Sequence, residues 1–371
     1  MDAWPTLPAE AYVGPEVLQE EAERIFRRTW QLACHESDLP NTGSFLVFDL
    51  LRESALLVRG KDGAVRAFHN VCRHRAFRLC NGQGDSPSRI RCRYHGFSYG
   101  LDGHLAGVPG EEDFPGLDRA NMGLRPIALE RWQGFLFVRF GEDAGPSIAE
   151  QLAPLSATLA SYRMAEMQPL GVESRTVLGC NWKVAVENNI EGYHIPLGHP
   201  GLQRLYGDRY SFHVEAAGMS HAGAKLPPME PGGGRNDLSW SERHYLAALP
   251  ETPHLPPARQ RFWGYFSLFP SLAFDLYPDQ IDFFQILPLG PDQCVARSRA
   301  YALPDERREM RVARALNQRI NRLVSREDRG LVEGVQRGLA SMGYGQGTLS
   351  RREARVRQFQ NAWRDRMNQS A

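Results

Sequence analysis

Nowhere does the 371-residue chain run apolar for the roughly twenty positions a bilayer-spanning helix needs, so no membrane helix is expected. Charge of one sign is missing as well: 44 Lys and Arg stand against 43 Asp and Glu, a formal net charge of +1. That balance lacks the clustered basic excess that nucleic acid or an anionic membrane surface attracts. The local surplus from Pro304 onward, fifteen Arg against eight Asp or Glu, reads as a solvated helix surface. No G-x-G-x-x-G follows a strand-like run, so no flavin or nicotinamide site is expected. Cysteine is scarce, six in all. The opening MDAWPTLPAEAYVG has neither the basic segment nor the apolar core of a signal peptide, and the thiols are expected to stay reduced in the cytoplasm. Internal repeats are absent.

What is present is enough chain for two hydrophobic cores. The most informative stretch is Asn70 to Gly103, NVCRHRAFRLCNGQGDSPSRIRCRYHGFSYGLDG. It contains Cys72-x-His74 and, after a gap of seventeen residues, Cys92-x-x-His95. Two thiolates and two imidazoles suit one zinc ion, or a [2Fe–2S] cluster with both cysteines on one iron and both histidines on the other. Turn formers beside each pair, Asn81-Gly82-Gln83-Gly84 and Gly96, favour two loops closing over a cluster from opposite sides. A zinc finger places its histidines on a helix and spaces its ligands further apart.

The stretch resembles the Rieske domain of the Rieske non-haem iron oxygenases, whose C-x-H and C-x-x-H loops it reproduces. The resemblance implies that Cys72, His74, Cys92 and His95 hold one [2Fe–2S] cluster per subunit. Around it the residue pattern reads as β structure: SFLVFDLL, SALLVRG, a Lys61-Asp62-Gly63 turn, AVRAFHN and, further on, GFLFVRF ending at Phe140. Ahead of it, Val17 to Cys34 spaces its apolar residues as one amphipathic helix. The expected boundaries are residues 1–40 for an N-terminal helix packed on a catalytic domain, 41–145 for an all-β Rieske domain, and 146–371 for the catalytic domain.

In the last segment NWKVAVENNIEGYH reads as helix, and it leads into a second constellation, Glu191, His194 and His199. Glu191 and His194 are three apart, one helix face, while Pro196 and Gly198 break the helix so that His199 swings back toward His194. Two histidines and a carboxylate leave open positions on Fe(II) for O2 and substrate. Spacing alone does not select the distant carboxylate. Asp275 and Asp282 lie on strand-like runs, and Glu327 and Asp328 follow Ser325, where acids also suit the first turn of a new helix. The segment NWKVAVENNIEGYHIPLGHP resembles the mononuclear iron motif of the same oxygenases, with Glu191 in place of the commoner Asp, as in the branch acting on carnitine and other quaternary ammonium compounds. EDRGLVEGVQRGLASMGY is similar to that branch's C-terminal helix, which carries the third-ligand role to Asp328 and makes Glu191 the acid beside the iron.

The resemblance implies an α+β protein, an all-β Rieske [2Fe–2S] domain plus a helix-grip (START-like) domain with a twisted antiparallel sheet. It also implies a terminal oxygenase component: a homotrimer, reduced by a separate ferredoxin or flavin reductase, that uses O2 and one Fe(II) per subunit. The expected substrate is a small organic molecule, hydroxylated or demethylated, with quaternary ammonium compounds first and aromatic or other hydrophobic molecules as the alternative. Trp240, Phe262, Trp263, Tyr265, Phe266, Phe269, Phe274, Phe283 and Phe284 are candidates for a cation cage or for ordinary core. Gly198 to Gln260, rich in Gly and Pro, reads as a long lid or binding loop. Helices are expected at about Asp305 to Val324, after Ser325, and after the capping box Ser350-x-x-Glu353.

Overall fold

The protein was analysed as a computed structural model that describes residues 3–368 except 87, 143–144, 215–217 and 229–236. The chain divides into two compact units, residues 26–152 and residues 1–25 with 153–371. Among the described residues no helix is long and apolar enough to cross a membrane.

The smaller unit is β structure. Strands β1 (Gln31–His35), β2 (Ser44–Leu50), β3 (Glu53–Arg59), β4 (Val65–His69) and β5 (Gln83–Asp85) are followed by three short strands, β6 (Ile90–Arg91), β7 (Ser98–Tyr99) and β8 (Leu105–Gly107). Then come β9 (Pro126–Trp132) and β10 (Phe135–Arg139). Seven of these form one sheet in the order β1-β10-β9-β4-β3-β2-β5, and the three short ones form a second. Residues 31–34, expected to end the N-terminal helix, instead lie in β1, whose five residues are all buried and which pairs antiparallel with β10. The helical spacing holds only over helix α1 (Pro15–Glu21) and the wider turn Ala22–Phe26 after it. Residues 26–40 therefore belong with the β unit and not with the N-terminal helix.

The larger unit is built on seven antiparallel strands. They are β11 (Gln168–Leu178), β12 (Tyr210–Val214), β13 (Met219–Lys225), β14 (Phe262–Leu268), β15 (Leu272–Leu276), β16 (Ile281–Gly290) and β17 (Gln293–Ala302), in the order β11-β17-β16-β15-β14-β13-β12. The last four of these are the strands the alternating sequence predicts. The segment expected to be one long loop also forms β12 and β13, with helices α3 (Pro200–Tyr206) and α4 (Trp240–Ala248). Most of its PPMEPGGGRND run lies outside the described residues.

Helix α2 (Trp182–Ile190) precedes α3, and the chain closes on α5 (Arg308–Leu339) and α6 (Ala354–Asn368). The two helices expected on either side of Ser325 are one helix of 32 residues. The Ser325 hydroxyl does not cap a new helix; it donates back to the carbonyl of Asn321, four residues earlier, and leaves the backbone ladder intact. Buried Met310, Ala313, Leu316, Asn317 and Ile320 recur at helical spacing. Ala313, Leu316 and Ile320 join Trp263, Tyr277, Tyr206 and Tyr245 in one core cluster between helix and sheet.

A buried charge ties the ends of this unit together. Glu21 on α1 is fully buried and accepts from Lys183 Nζ at 2.5 Å, Trp363 Nε1 at 2.7 Å and Trp182 Nε1 at 2.7 Å. Burial holds the Lys183 ammonium below its usual range, and Glu21 opposes that shift. Removing one partner of such a pair leaves the other charge buried without compensation. Glu21→Ala is therefore expected to destabilise the larger unit by about 3–5 kcal/mol in chemical denaturation, with Glu21→Gln milder because its one carbonyl oxygen still accepts from one of the two indoles. A loss within the ±0.5 kcal/mol range of a surface change would refute the assignment.

Candidate metal centres

Two six-residue turns in the β unit have the same construction. The amide of Cys72 donates to the carbonyl of Phe77 and that of Ala76 to Cys72; the amide of Cys92 donates to Phe97 and that of Gly96 to Cys92. Each turn needs a left-handed residue at its fifth position, Ala76 at φ 56° and Gly96 at φ 80°. The sequence shows CRHRAF and CRYHGF as two motifs with different His spacing, while the backbone makes them copies of one turn. They bring the predicted cluster residues together. Cys72 and Cys92 lie at the base, 3% and 2% exposed, and the rings of His74 and His95 stand 4.7 Å apart.

The Tyr99 hydroxyl lies 3.2 Å from Cys72 Sγ and accepts the amide of Arg73 at 3.0 Å. Burial raises the Cys72 thiol, Tyr99 works against that rise, and the neighbouring Cys92 adds to it. Phe97 stacks flat on His74 with ring centres 4.6 Å apart. His74 Nδ1 is buried and finds no hydrogen-bond partner. Two buried thiols that repel as thiolates, together with an orphaned imidazole nitrogen, are the donor set a metal cluster satisfies.

The second centre lies in the larger unit. Helix α2 stops at Ile190, so Glu191 and His194 do not share a helix face as expected; Glu191 is extended, at φ −115° and ψ 163°. Its carboxylate closes the turn itself, accepting the amides of Tyr193 and His194 on Oε2 and His194 Nδ1 on Oε1. A single helical turn, Ile195–Gly198, then carries the chain to His199. Gly198 gives the His194 ring room, since a Cβ there would come within 3.1 Å of it.

His194, His199 and Asp328 offer ligand atoms that all lie within 4.8 Å of one another. His199 Nε2 is 2.9 Å and His194 Nε2 3.6 Å from Asp328 Oδ1. The other nitrogen of each ring faces an acid: His194 Nδ1 meets Glu191 Oε1, and His199 Nδ1 lies 2.8 Å from Glu327 Oε2. With both Nδ1 atoms donating, both Nε2 lone pairs point at a carboxylate oxygen. Three lone-pair donors crowded so closely repel one another unless a cation sits among them, which is the fit a divalent metal requires. For His199, burial works against a proton, and Asp328 and Glu327 outweigh it and raise its basicity.

Asp275 and Asp282, the other candidates for the third carboxylate, lie away from this group, facing one another across β15 and β16. Glu327 is no helix cap, because α5 runs unbroken through it. Two contributors escape a reading of the sequence. Asn188 donates to Asp328 Oδ1 at 2.7 Å, and Glu327 orients His199; only the meeting of α2 and α5 reveals either.

The nine aromatic candidates separate by sheet face, because side chains alternate along a strand. Trp263 and Tyr265 face the helices with Tyr206, Tyr210 and Tyr277, and Phe284, paired with Ala273 opposite Ser267, lies on the same face. Phe262, Phe266, Phe274 and Phe283 occupy the alternate positions, Trp240 is 59% exposed, and Phe269 sits in a loop against Phe359. No cage forms from the set as a whole. Tyrosines supply most of the helix-side wall.

The Rieske [2Fe-2S] domain family matches residues 29–120, and the ring hydroxylating alpha subunit (catalytic domain) family matches residues 160–369. The glycine betaine monooxygenase oxygenase subunit of Chromohalobacter salexigens is 30% identical over 373 residues, covering 93% of this chain and 82% of that protein. The carnitine monooxygenase oxygenase subunit of Escherichia coli K12 is 35% identical over 212 residues, and the chain spans only 56% of that relative's length. Among solved structures, a quaternary ammonium Rieske monooxygenase superposes with a TM-score of 0.83 at 24% identity, covering 99% of this chain and 96% of that one. Naphthalene 1,2-dioxygenase from a Rhodococcus species superposes at 0.79 and 22% identity, covering 98% and 94%.

Proposed function

The chain belongs to the Rieske-type oxygenases, the ring-hydroxylating alpha-subunit family, and from that premise we propose that it is a terminal oxygenase component that inserts oxygen from O2 into a small quaternary ammonium substrate. When bound, a [2Fe–2S] cluster relays single electrons, and a mononuclear Fe(II) supplies open positions and oxidising power for O2. The protein's part is to hold and orient. In this reading Cys72, Cys92, His74 and His95 carry the cluster, and His194, His199 and Asp328 carry the iron. Glu191 and Glu327 keep the imidazole protons on Nδ1 and so leave the Nε2 lone pairs free. Asn188 fixes the Asp328 carboxylate by donating to Oδ1.

One observation carries the choice of substrate. The helix-side wall is built of tyrosines with Asp275 and Asp282 among them, and burying bare hydrocarbon against the Asp275 carboxylate, whose Oδ1 has no donor, is unfavourable. A cation-bearing substrate suits it, in keeping with the carnitine and glycine betaine relatives. Electrons are supplied by a separate reductase. Oxygen uptake measured with a reductase across betaines, phenolic ethers and aromatic acids is expected to respond to the betaines. Uptake coupled to product only with aromatic substrates would overturn the reading.

We propose further that three copies assemble so that one subunit's cluster serves its neighbour's iron. Inter-subunit electron transfer is described for the similar quaternary ammonium Rieske monooxygenase. Glu191 keeps 12% side-chain exposure, and the His95 ring is exposed on its unit, so both ends of a bridge from Glu191 to a neighbour's His95 are accessible in a single chain.

A further inference from the structure

Arg355, on helix α6, is 2% exposed. Its Nε donates to Ser220 Oγ at 2.8 Å and its Nη2 to Ser267 Oγ at 3.0 Å, while Nη1 is buried and has no acceptor. Arginine does not shed its proton in a protein, so the unmet donor is also an unmet charge. Among the described residues no carboxylate pairs with it. The charged and titratable groups acting on it are Tyr210, which also approaches it as a hydrogen-bond partner, and Asp275 and Glu191, which act through space.

Asp275 is the opposite case. It stands across from Tyr265 on one side and Asp282 on the other. Tyr277 reaches its Oδ2 only at 3.5 Å, and Oδ1 is buried with no donor. Asp275, Asp282 and Tyr265 are each partly buried and share the helix-side face of the sheet. Burial pushes the Asp275 carboxyl up to about 7, and Asp282 is raised as well, first by burial and then by Asp275.

The two unmet groups are neighbours on one sheet face. Arg355 is held by Ser267, and Asp275 faces Tyr265, two residues earlier on the same strand, a step of about 7 Å. Tyr206 hydrogen-bonds Tyr265, and Tyr210 stacks on Tyr206 with ring centres 6.0 Å apart. Tyr210 also packs on Gly192, two residues before His194, which sets this wall beside the iron-ligand turn.

Resting on the function proposed above, we infer that Arg355 and Asp275 set the substrate's polarity: Arg355 takes a carboxylate, and Asp275 with Tyr265 and Tyr277 takes the ammonium of the same zwitterion. A betaine placed this way meets both unsatisfied groups and opposes the dipole between them. A cation of equal size without the carboxylate leaves Arg355 unmet and is repelled by it. An arene satisfies neither.

The test is calorimetric binding to the metal-loaded protein without oxygen, with glycine betaine and its methyl ester, which keeps the ammonium and lacks the negative charge. The natural protein is expected to bind betaine at least tenfold more tightly than the ester. Arg355→Gln should lower betaine affinity ten- to a hundredfold and, with the repelling charge gone, tighten the ester, erasing the preference; Arg355→Lys should restore part of it. Asp275→Asn should weaken both ligands. Betaine affinity should rise with pH through about 7 as Asp275 ionises among Tyr265, Tyr277, Asp282 and Arg355, and that rise should flatten in Asp275→Asn. Should Arg355→Gln fail to fold, the betaine and ester comparison on the unaltered protein still decides, and equal affinities there overturn the inference. Turnover of betaines with an unchanged preference in Arg355→Gln overturns this assignment alone. Failure of every quaternary ammonium compound to bind or react overturns the function proposed above together with it.

Discussion

Replacing Asp328 with alanine is expected to abolish turnover and empty the mononuclear iron site while leaving the visible absorption of the [2Fe–2S] cluster unchanged. The reason is geometric. Asp328 Oδ1 is the point on which both imidazole Nε2 atoms converge, at 2.9 and 3.6 Å, and it is the one carboxylate in the group whose ligand atoms lie within 4.8 Å. Without it two neutral imidazoles remain, too few ligands and no negative charge to hold Fe(II). Glu327→Gln separates ligand from orienter: it loses the charge behind His199 Nδ1 but can still accept its proton, so iron affinity should fall only about 10–100-fold. Asp282→Ala, one of the alternatives raised by the sequence, should retain the iron. Metal analysis beside the visible spectrum checks all three. Iron retained in Asp328→Ala and lost in Asp282→Ala would move the third ligand to the sheet.

The second large effect is a recovery. A subunit with Cys92→Ala lacks a cluster ligand, and one with His194→Ala lacks an iron ligand; each is expected to be inactive alone. Co-expressed, they should regain a measurable part of the activity, because mixed trimers of the proposed kind would contain neighbouring pairs with one intact donor and one intact acceptor. Glu191→Gln should keep both metals and normal cluster reduction, yet slow cluster reoxidation by O2 and substrate severely, since its carboxylate is the proposed bridge between His194 and the neighbour's His95. Stopped-flow absorbance follows that step. Well-folded mixed trimers with no activity would show that electrons stay within one chain, and the bridging role of Glu191 would fall with it.

Local pattern and tertiary structure contribute differently to these conclusions. Cys72, His74, Cys92 and His95 are legible as a group because each pair sits in one six-residue turn whose hydrogen bonds are local. His194 and His199 are legible for the same reason, joined by a single helical turn. The four strands β14 to β17 announce themselves by alternation, a property of each strand alone. Where a boundary depends on partners, local reading fails. Residues 31–34 have helical spacing but become strand because β10 offers a pairing edge, and Ser325 resembles a helix start but bonds backward within a helix packed along its length.

What the sequence determines by itself is therefore the chemistry of short segments: two metal-binding motifs, the family they belong to, and the alternating strands. Spacing does not distinguish Asp328 from Asp275 or Asp282, and it is the likeness of its helix to the family that points to it; only tertiary structure supplies the geometry, bringing Asp328 Oδ1 beside His199 Nε2 across 129 residues. It also decides that Glu327 and Asn188 support that centre, that the aromatic candidates divide between two sheet faces, and that Arg355 and Asp275 are unmet charges on one wall. Burial and pairing across distant strands and helices are properties of the packed chain, and a charge is known to be unsatisfied only once everything that could satisfy it has taken its place.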